Sequence, residues 1–366
     1  LFIRDYRLLW LGQISTSMGQ WMDQVTRGYL MYQMTGGNAF DVGAVTAMRG
    51  LPLLFFGVIA GAVADRSGRK TQLVIAQTTN AILNALLATL VITGTVQPWH
   101  VYATAFLAGT VQAFQQPARQ TLVSDLVGND KLMNALALNS AALNGSRVLG
   151  PGISGALIVL LGVSKSYYLQ AIMYLVATIW TIQIHVPEAH TDLAGRKRES
   201  FLKSITNGLS YVATQRNIRA QLILALGPLT FAMSYTAMMP VMALTVLHGT
   251  AETQGLLLSF IGVGALTGAL IVASMRRSHA YGLTVVVGAA AFCIGVIMFA
   301  SSHWVWLSCV LGVILGTFSV TYTTQDQTLL QVSAPRHIRG RVMSIYLLNR
   351  GTVPIGALLA GILAQH

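Results

Sequence analysis

Charge is what this chain of 366 residues has least of: Asp, Glu, Lys and Arg together make up 9%, against roughly 25% in an ordinary soluble domain. So few charges cannot dress a soluble surface of this size. A hydrophobic content of 54% and a mean hydropathy of +0.61 make lipid the expected solvent for most of it. Cysteine is nearly missing too. Cys293 and Cys309 lie inside apolar runs without metal-ligand spacing, which leaves them as small packing residues. No G-x-x-x-x-G-K-[ST] stretch occurs, so ATP is not expected as the direct energy source. Eight histidines are scattered without metal spacing, and Ser, His and Asp form no hydrolase pattern. An enzyme, a cofactor and a metal are all unexpected. Acids are also scarce, 11 against 23 Lys+Arg, for a net charge of +12. In a chain this apolar the positions of the bases mean more than their sum, and nucleic acid is not an expected partner.

What is there is a series of long apolar runs. A bilayer core about 30 Å thick takes roughly 20 apolar residues of helix. Eleven candidate spans satisfy this: 8–33, 41–64, 71–94, 98–117, 133–162, 166–186, 219–247, 253–275, 281–301, 304–325 and 341–365. The fifth is long enough to begin in water. The odd total, an opening on Leu1 without a signal segment and an end at His366 behind an apolar run suggest a trimmed chain whose twelfth helix is missing.

Most of the Lys and Arg residues fall on one side of these spans. With the N-terminus inside, the cytoplasmic segments of the first half hold Arg4, Arg7, Arg66, Arg69, Lys70, Arg119 and Lys131. The central stretch adds Arg196, Lys197, Arg198, Lys203, Arg216 and Arg219, and the second half adds Arg276, Arg277, Arg336, Arg339 and Arg341. Only Lys165 falls in an outside loop. That asymmetry predicts a cytoplasmic N-terminus in a bacterial inner membrane. Between the sixth and seventh spans lies a charged linker, 187–218, in which Phe201, Ile205, Leu209 and Val212 share a helical face. A short amphipathic helix on the inner membrane surface is expected there.

The halves repeat. "RDYR" at 4–7 returns as "RNIR" at 216–219, an offset of 212. "GVIAGAVADRSGRK" at 57–70 aligns with "GALTGALIVASMRR" at 264–277, and "QTL" at 120–122 with 327–329, both at 207. "RVLGP" at 147–151 meets "RGTVP" at 350–354, an offset of 203. Four matches in one order imply a duplication: an all-α membrane protein with a six-helix bundle over 1–186, the linker, and an incomplete bundle over 219–366. Two such halves around a midplane site form a transporter architecture.

The turn after the second span is dense in polar groups. Gly57 and Gly61 offer a smooth face for close helix packing, and Asp65 at the membrane edge can meet arginine or helix N-terminal amides. Gly68 permits the turn, while Arg69 and Lys70 stay in the basic interface. Gly61, Asp65, Arg66, Gly68, Arg69 and Lys70 match the signature loop of the major facilitator superfamily in full, and the chain resembles that superfamily. "QQPARQTLVSDLV" at 115–127, "NALALNSAALNGSRVLGPGISGAL" at 134–157 and "RGRVMSIYLLNRGTVPIGALLAG" at 339–361 resemble its enterobactin-exporter-like and drug-efflux branch. Gly150, Pro151 and Gly155 are similar to the helix-5 antiporter motif, with Ser154 in place of a glycine. The resemblance implies alternating access and a gating role for the loop.

Charged residues inside the spans are costly and direct attention to a pathway or a buried pair. Asp23 lies roughly 24 Å along the first span from Arg7, and Arg49 reaches a similar height on the second. An Asp23–Arg49 pair is expected, with Arg27 competing one turn above Asp23. Two roles fit: a static staple, or a proton-carrying carboxylate, since Asp23 is the only acid well inside any of the eleven spans. Arg147 and Arg350 occupy matching positions in the fifth and eleventh spans. They fit either an anionic substrate in a central cavity or carbonyls freed near Pro151 and Pro354. The leading expectation is a monomeric, proton-coupled exporter of a small amphiphilic molecule, drug or siderophore-like. A lipid or lysolipid flippase, an importer of the same fold and a transport-dead sensor stand as alternatives.

Overall fold

The computed structural model describes residues 3–64, 68–185, 212–275, 281–335, 342–343, 345–346 and 351–365, with backbone only at 57–64, 129 and 281. The chain is helical throughout the described residues. The helices are α1 (Arg4–Met34), α2 (Ala39–Ala64), α3 (Arg69–Ile92), α4 (Pro98–Val127), α5 (Leu132–Leu161) and α6 (Val163–Ile182). After the linker come α7 (Arg216–Thr236), α8 (Met239–Val246), α9 (Ala251–Ser274), α10 (Tyr281–Ala300), α11 (Val305–Ser333) and α12 (Val353–Gln365). By length and apolarity α2, α3, α5, α9, α10 and α11 suffice to cross a bilayer, and α7 and α8 together meet the same standard only when counted as one bent span.

The helices α1, α4 and α6 fall short of that standard for a physical reason: their polar residues face inward. Buried polar side chains include Gln13, Thr16, Asp23, Thr26 and Arg27 on α1, Gln115 and Arg119 on α4, and Ser166, Gln170 and Thr181 on α6. The lipid-facing surfaces of their neighbours carry exposed Phe55, Ile82 and Leu160 instead.

Contacts divide the chain into two units. The first comprises Leu1–Ala189, Ala237–Ser259 and Gly361–His366, and the second His190–Thr236 and Phe260–Ala360. Two apolar clusters close the ends of the first unit. One gathers Tyr6, Leu9, Leu73, Leu122 and Ile184, and the other Leu30, Met31, Val45, Leu87, Val101 and Tyr167. The polar side chains lie between them. In the second unit Ile218, Leu222, Leu229, Leu330, Val342 and Tyr346 form one cluster, with Val212 packed against it. Phe201, Ile205 and Leu209, the rest of the expected amphipathic face, lie outside the described residues.

Local chemistry sets several boundaries. Pro98 opens α4, and a reciprocal cap links Gln97 to His100, whose Nδ1 accepts from the Gln97 amide at 3.0 Å. A single residue, Gly162 at φ 86°, separates α5 from α6, a conformation that a Cβ would strain. The expected span 98–117 is too short, because α4 continues through Pro117 to Val127. The expected span 304–325 likewise ends early, since α11 runs to Ser333. Both extensions carry buried polar residues, which an apolar count discards. The expected single span 219–247 is broken by 45° between Thr236 and Met239. Pro228 opens a π turn, Pro228–Ala232, and Pro240 follows at the start of α8. Each removes a backbone donor.

The duplication reappears in these boundaries. At offset 212 the limits of α1, Arg4 and Met34, fall on Arg216 and Val246, the outer limits of the bent pair. At offset 207 Pro98 falls on Val305, the first residue of α11. Gly109 of α4 falls on Gly316 of α11, and both are close-approach points: a Cβ on Gly109 would collide with the Arg49 carbonyl of α2, and one on Gly316 with the Ile261 carbonyl of α9.

Candidate functional site

Asp23 sits on α1 inside the first unit and is 3% exposed. One turn on, Arg27 grips it with two hydrogen bonds, Nε to Oδ2 at 3.2 Å and Nη2 to Oδ1 at 3.0 Å. Arg49 of α2 donates to the same Oδ2. The second arm of Arg27 reaches α4, donating to the Thr104 hydroxyl at 2.8 Å and the Val101 carbonyl at 3.2 Å. Three helices are thereby fixed at one height. The sequence presents Arg27 as a competitor of Arg49, whereas the two share the carboxylate.

Deeper along α1, Arg119 of α4 donates to the Gln13 side-chain carbonyl and to the Thr16 hydroxyl at 3.0 Å. It is 6% exposed, so its assignment to a cytoplasmic segment is corrected: the longer α4 carries it inside. No acid pairs with it among the described residues. Arg147 of α5 stands over the Trp21 ring of α1, its guanidinium carbon 5.5 Å from the centroid, a cation–π arrangement. Its expected counterpart, Arg350, lies outside the described residues, as do Asp65 and Arg66 of the signature loop. Of that loop, Gly61 lies within α2 and Gly68 precedes α3. Arg69 pairs with Asp125 near the end of α4, and Lys70 donates to the Ile184 carbonyl at 2.8 Å. The start of α3 is thus tied to the end of α4 and to the residues after α6.

The helix-5 motif forms a seam. A Cβ on Gly150 would come within 2.7 Å of the Trp21 Cβ on α1. One on Gly155 would come within 2.6 Å of the Ala251 carbonyl of α9, and one on Gly255 within 2.5 Å of the Pro151 carbonyl. Ser154, the departure from the motif, has a use: its hydroxyl donates to the Met22 carbonyl at 3.1 Å and lies 2.9 Å from the Thr26 hydroxyl. Ser166 and Gln170 of α6 complete this buried group around Thr26.

In the second unit the chain holds an acid that the apolar count missed. Asp326 lies one residue past the expected span 304–325, well inside α11, and is 1% exposed. Asp23 is therefore not the only acid well inside a helix, because α11 is longer than the apolar run that marks it. Gln221 of α7 donates its amide to the Asp326 main-chain carbonyl at 2.9 Å and to Oδ1 at 3.0 Å. No cation pairs with Asp326 among the described residues. The signal that could have located it is the repeat, because Arg119 plus 207 is 326.

The sequence matches the transmembrane secretion effector family over residues 1–366. It is 27% identical over 356 residues to a staphyloferrin A transporter of Staphylococcus aureus, covering 95% of this chain and 86% of that protein. It is 26% identical over 365 residues to the multidrug efflux pump Tap of Mycolicibacterium fortuitum, covering 98% and 88%. The enterobactin exporter EntS of Citrobacter koseri is 27% identical over 340 residues, with 90% and 78% covered. Among solved structures, the nucleoside transporter NupG superposes with a TM-score of 0.78 at 12% identity, covering 99% of this chain and 90% of that one. A bacterial homolog of the human lysosomal transporter Spinster gives 0.75 at 13% identity, with 98% and 82% covered. The chain is therefore a multi-pass membrane protein with the major facilitator fold, and it belongs to the transmembrane secretion effector family of transporters, not to a family of enzymes.

Proposed function

We propose that this transporter exports a small anionic amphiphile of siderophore type, driven by a proton gradient through alternating access. The observation that carries the reading is the charge of the first unit's interior. Arg27, Arg49, Arg119 and Arg147 project from α1, α2, α4 and α5, and Asp23 is the one buried acid of that unit among the described residues. Such a surplus of guanidinium groups favours carboxylate or catecholate ligands, which arginine binds in a planar, two-pronged fashion. The aromatic face of Trp21 beneath Arg147 suits an amphiphile. The relatives named for staphyloferrin A and enterobactin agree with this chemistry.

In this reading the molecule is a monomer of two helical halves, 1–186 and 219–366, in a bacterial inner membrane with its N-terminus in the cytoplasm. The Gly61–Lys70 turn gates the cycle, with Asp65 as the charge that sets the balance between states. The test is proteoliposome transport under an imposed pH gradient, comparing enterobactin with the cationic dye ethidium. Gradient-dependent enterobactin flux above that of ethidium is expected. Flux of ethidium alone would replace the reading with drug export, and no gradient-dependent flux of either would end it.

A further inference from the structure

Resting on that proton-driven reading, we propose that Asp326, and not Asp23, is the acid that takes up and returns the driving proton. The two acids differ in what surrounds them. Both oxygens of Asp23 accept from guanidinium groups, Oδ1 from Arg27 and Oδ2 from Arg27 and Arg49. A proton placed there would leave the buried Arg27 and the half-buried Arg49 side by side without their counter-charge, a state that costs about 3–5 kcal/mol. Asp23 is built to stay ionised.

Asp326 has no such partner among the described residues. Its Oδ1 accepts from one neutral amide, that of Gln221, and the other group that faces the carboxylate as a hydrogen-bond donor is the neutral hydroxyl of Tyr346. The titratable groups around it, among the described residues, are Tyr322 on its own helix, Tyr346 on the segment before α12, and Cys293 of α10 beside Tyr322. All three are neutral when protonated. Among the described residues an ionised Asp326 is the single charge in these surroundings, and a proton on Oδ2 removes it. The step is balanced and simple: one O–H bond forms, the carboxylate becomes a neutral acid, and release to water reverses it. Low-dielectric surroundings without a counter-charge are where such a change of state is easiest to drive.

The repeat gives independent support. At offset 207 the same register carries Arg119 in the first unit and Asp326 in the second. Each faces a glutamine of the first helix of its own unit, and the glutamine adapts. Gln13 offers its carbonyl to the guanidinium, while Gln221 offers its amide to the carboxylate. One architectural position thus holds a permanent cation in one half and a titratable anion in the other.

The experiment is infrared difference spectroscopy of the purified protein stepped through pH, reading the C=O band of a protonated carboxylic acid. The expected result is a pH-dependent band that Asp326→Asn removes and Asp23→Asn leaves. A band removed by Asp23→Asn and retained in Asp326→Asn would overturn the assignment, as would the absence of any titrating band in the wild type. Asp326→Glu guards against misfolding, since it keeps a carboxyl and should shift the band instead of abolishing it; an unmoved band would again overturn the proposal. Enterobactin flux separates this inference from the broader reading. Wild-type protein with a titrating band at Asp326 but no gradient-driven flux sinks proton-driven transport alone. Gradient-driven flux that persists in Asp326→Asn sinks the Asp326 assignment alone.

Discussion

The two units treat buried charge in opposite ways. The first unit buries Asp23, Arg27 and Arg119 in a layer between two apolar clusters, and each side chain is held by several donors or acceptors. Among the described residues the second unit buries one charged side chain, Asp326, and the groups that face it, Gln221 and Tyr346, are neutral. The lesson is that burial alone does not identify a working acid. A carboxylate held between guanidinium groups is an anchor, and one facing only dipoles is free to change state. At offset 207 the register of Asp326 is held in the first unit by Arg119 and not by Asp23.

The largest effect that can break this comparison is at Asp23. Asp23→Asn leaves the buried Arg27 and the half-buried Arg49 without a counter-charge, at a cost of about 3–5 kcal/mol. Asp326→Asn keeps the shape and can still accept from Gln221 at the same oxygen, so its stability should stay within about 1 kcal/mol of the parent. Thermal unfolding of both variants in the same detergent checks the contrast. Replacing Asp23, Arg27 and Arg49 together with Leu, Met and Met should recover much of the loss, because removing a whole buried cluster is milder than removing one member. Equal melting temperatures for Asp23→Asn and Asp326→Asn would dissolve the distinction between anchor and switch.

Next in size are the paired glycines. Gly109 and Gly316 let α4 approach the backbone of α2, and α11 that of α9, at one register of the repeat. An alanine at either position collides with a carbonyl, not a flexible side chain, so the helices must separate. Each substitution should lower stability by about 1–3 kcal/mol, the usual range for overpacking. If the duplication is structural as well as textual, the two losses should match closely. A large loss at one position and none at the other would show that the halves have diverged in packing.

How much of this was legible in the sequence depended on which signal carried it. Helices such as α3, α9 and α10 announce themselves, since apolar length is what a bilayer demands. The Asp23–Arg49 contact was legible because two charges at equal depth on antiparallel neighbours have few other partners. The ends of α4 and α11 were not, because Arg119 and Asp326 look like loop residues to any count of hydrophobicity. Their inward direction is decided by Gln13 and Gln221 on other helices. The polar group around Thr26 was equally hidden: Ser166 and Gln170 of α6 carry no local motif, and Ser154 of α5 shows in the sequence only as a departure from one. Tertiary partners, not local pattern, supplied what the sequence could not.

A smaller effect sharpens the role of Arg119. If its surplus charge serves the cargo, Arg119→Gln should weaken enterobactin binding by about tenfold, near 1.4 kcal/mol, and leave ethidium little changed. Lysine should recover part of the charge but not the two-pronged geometry. Titration calorimetry on the purified variants separates this from a packing role. Equal losses for both ligands, together with a lower melting temperature, would make Arg119 a structural link to Gln13 and Thr16 only.

The smallest expected effect is at Ser154, where the chain departs from the glycine of the helix-5 motif. Ser154→Gly restores the motif but removes a hydroxyl that ties α5 to the Met22 carbonyl and to Thr26 on α1. Thr26 keeps Ser166 and Gln170 as partners, so no buried donor is stranded. The loss should therefore stay near one hydrogen bond, about 1 kcal/mol, plus the flexibility that glycine adds to a helix interior. Ser154→Ala removes the bond without adding that flexibility, and the difference between the two variants isolates the backbone contribution. If the seam works as a hinge, the glycine variant should change the transport rate more than the alanine variant at similar stability. Identical rates for both would reduce Ser154 to a fastening between α1 and α5.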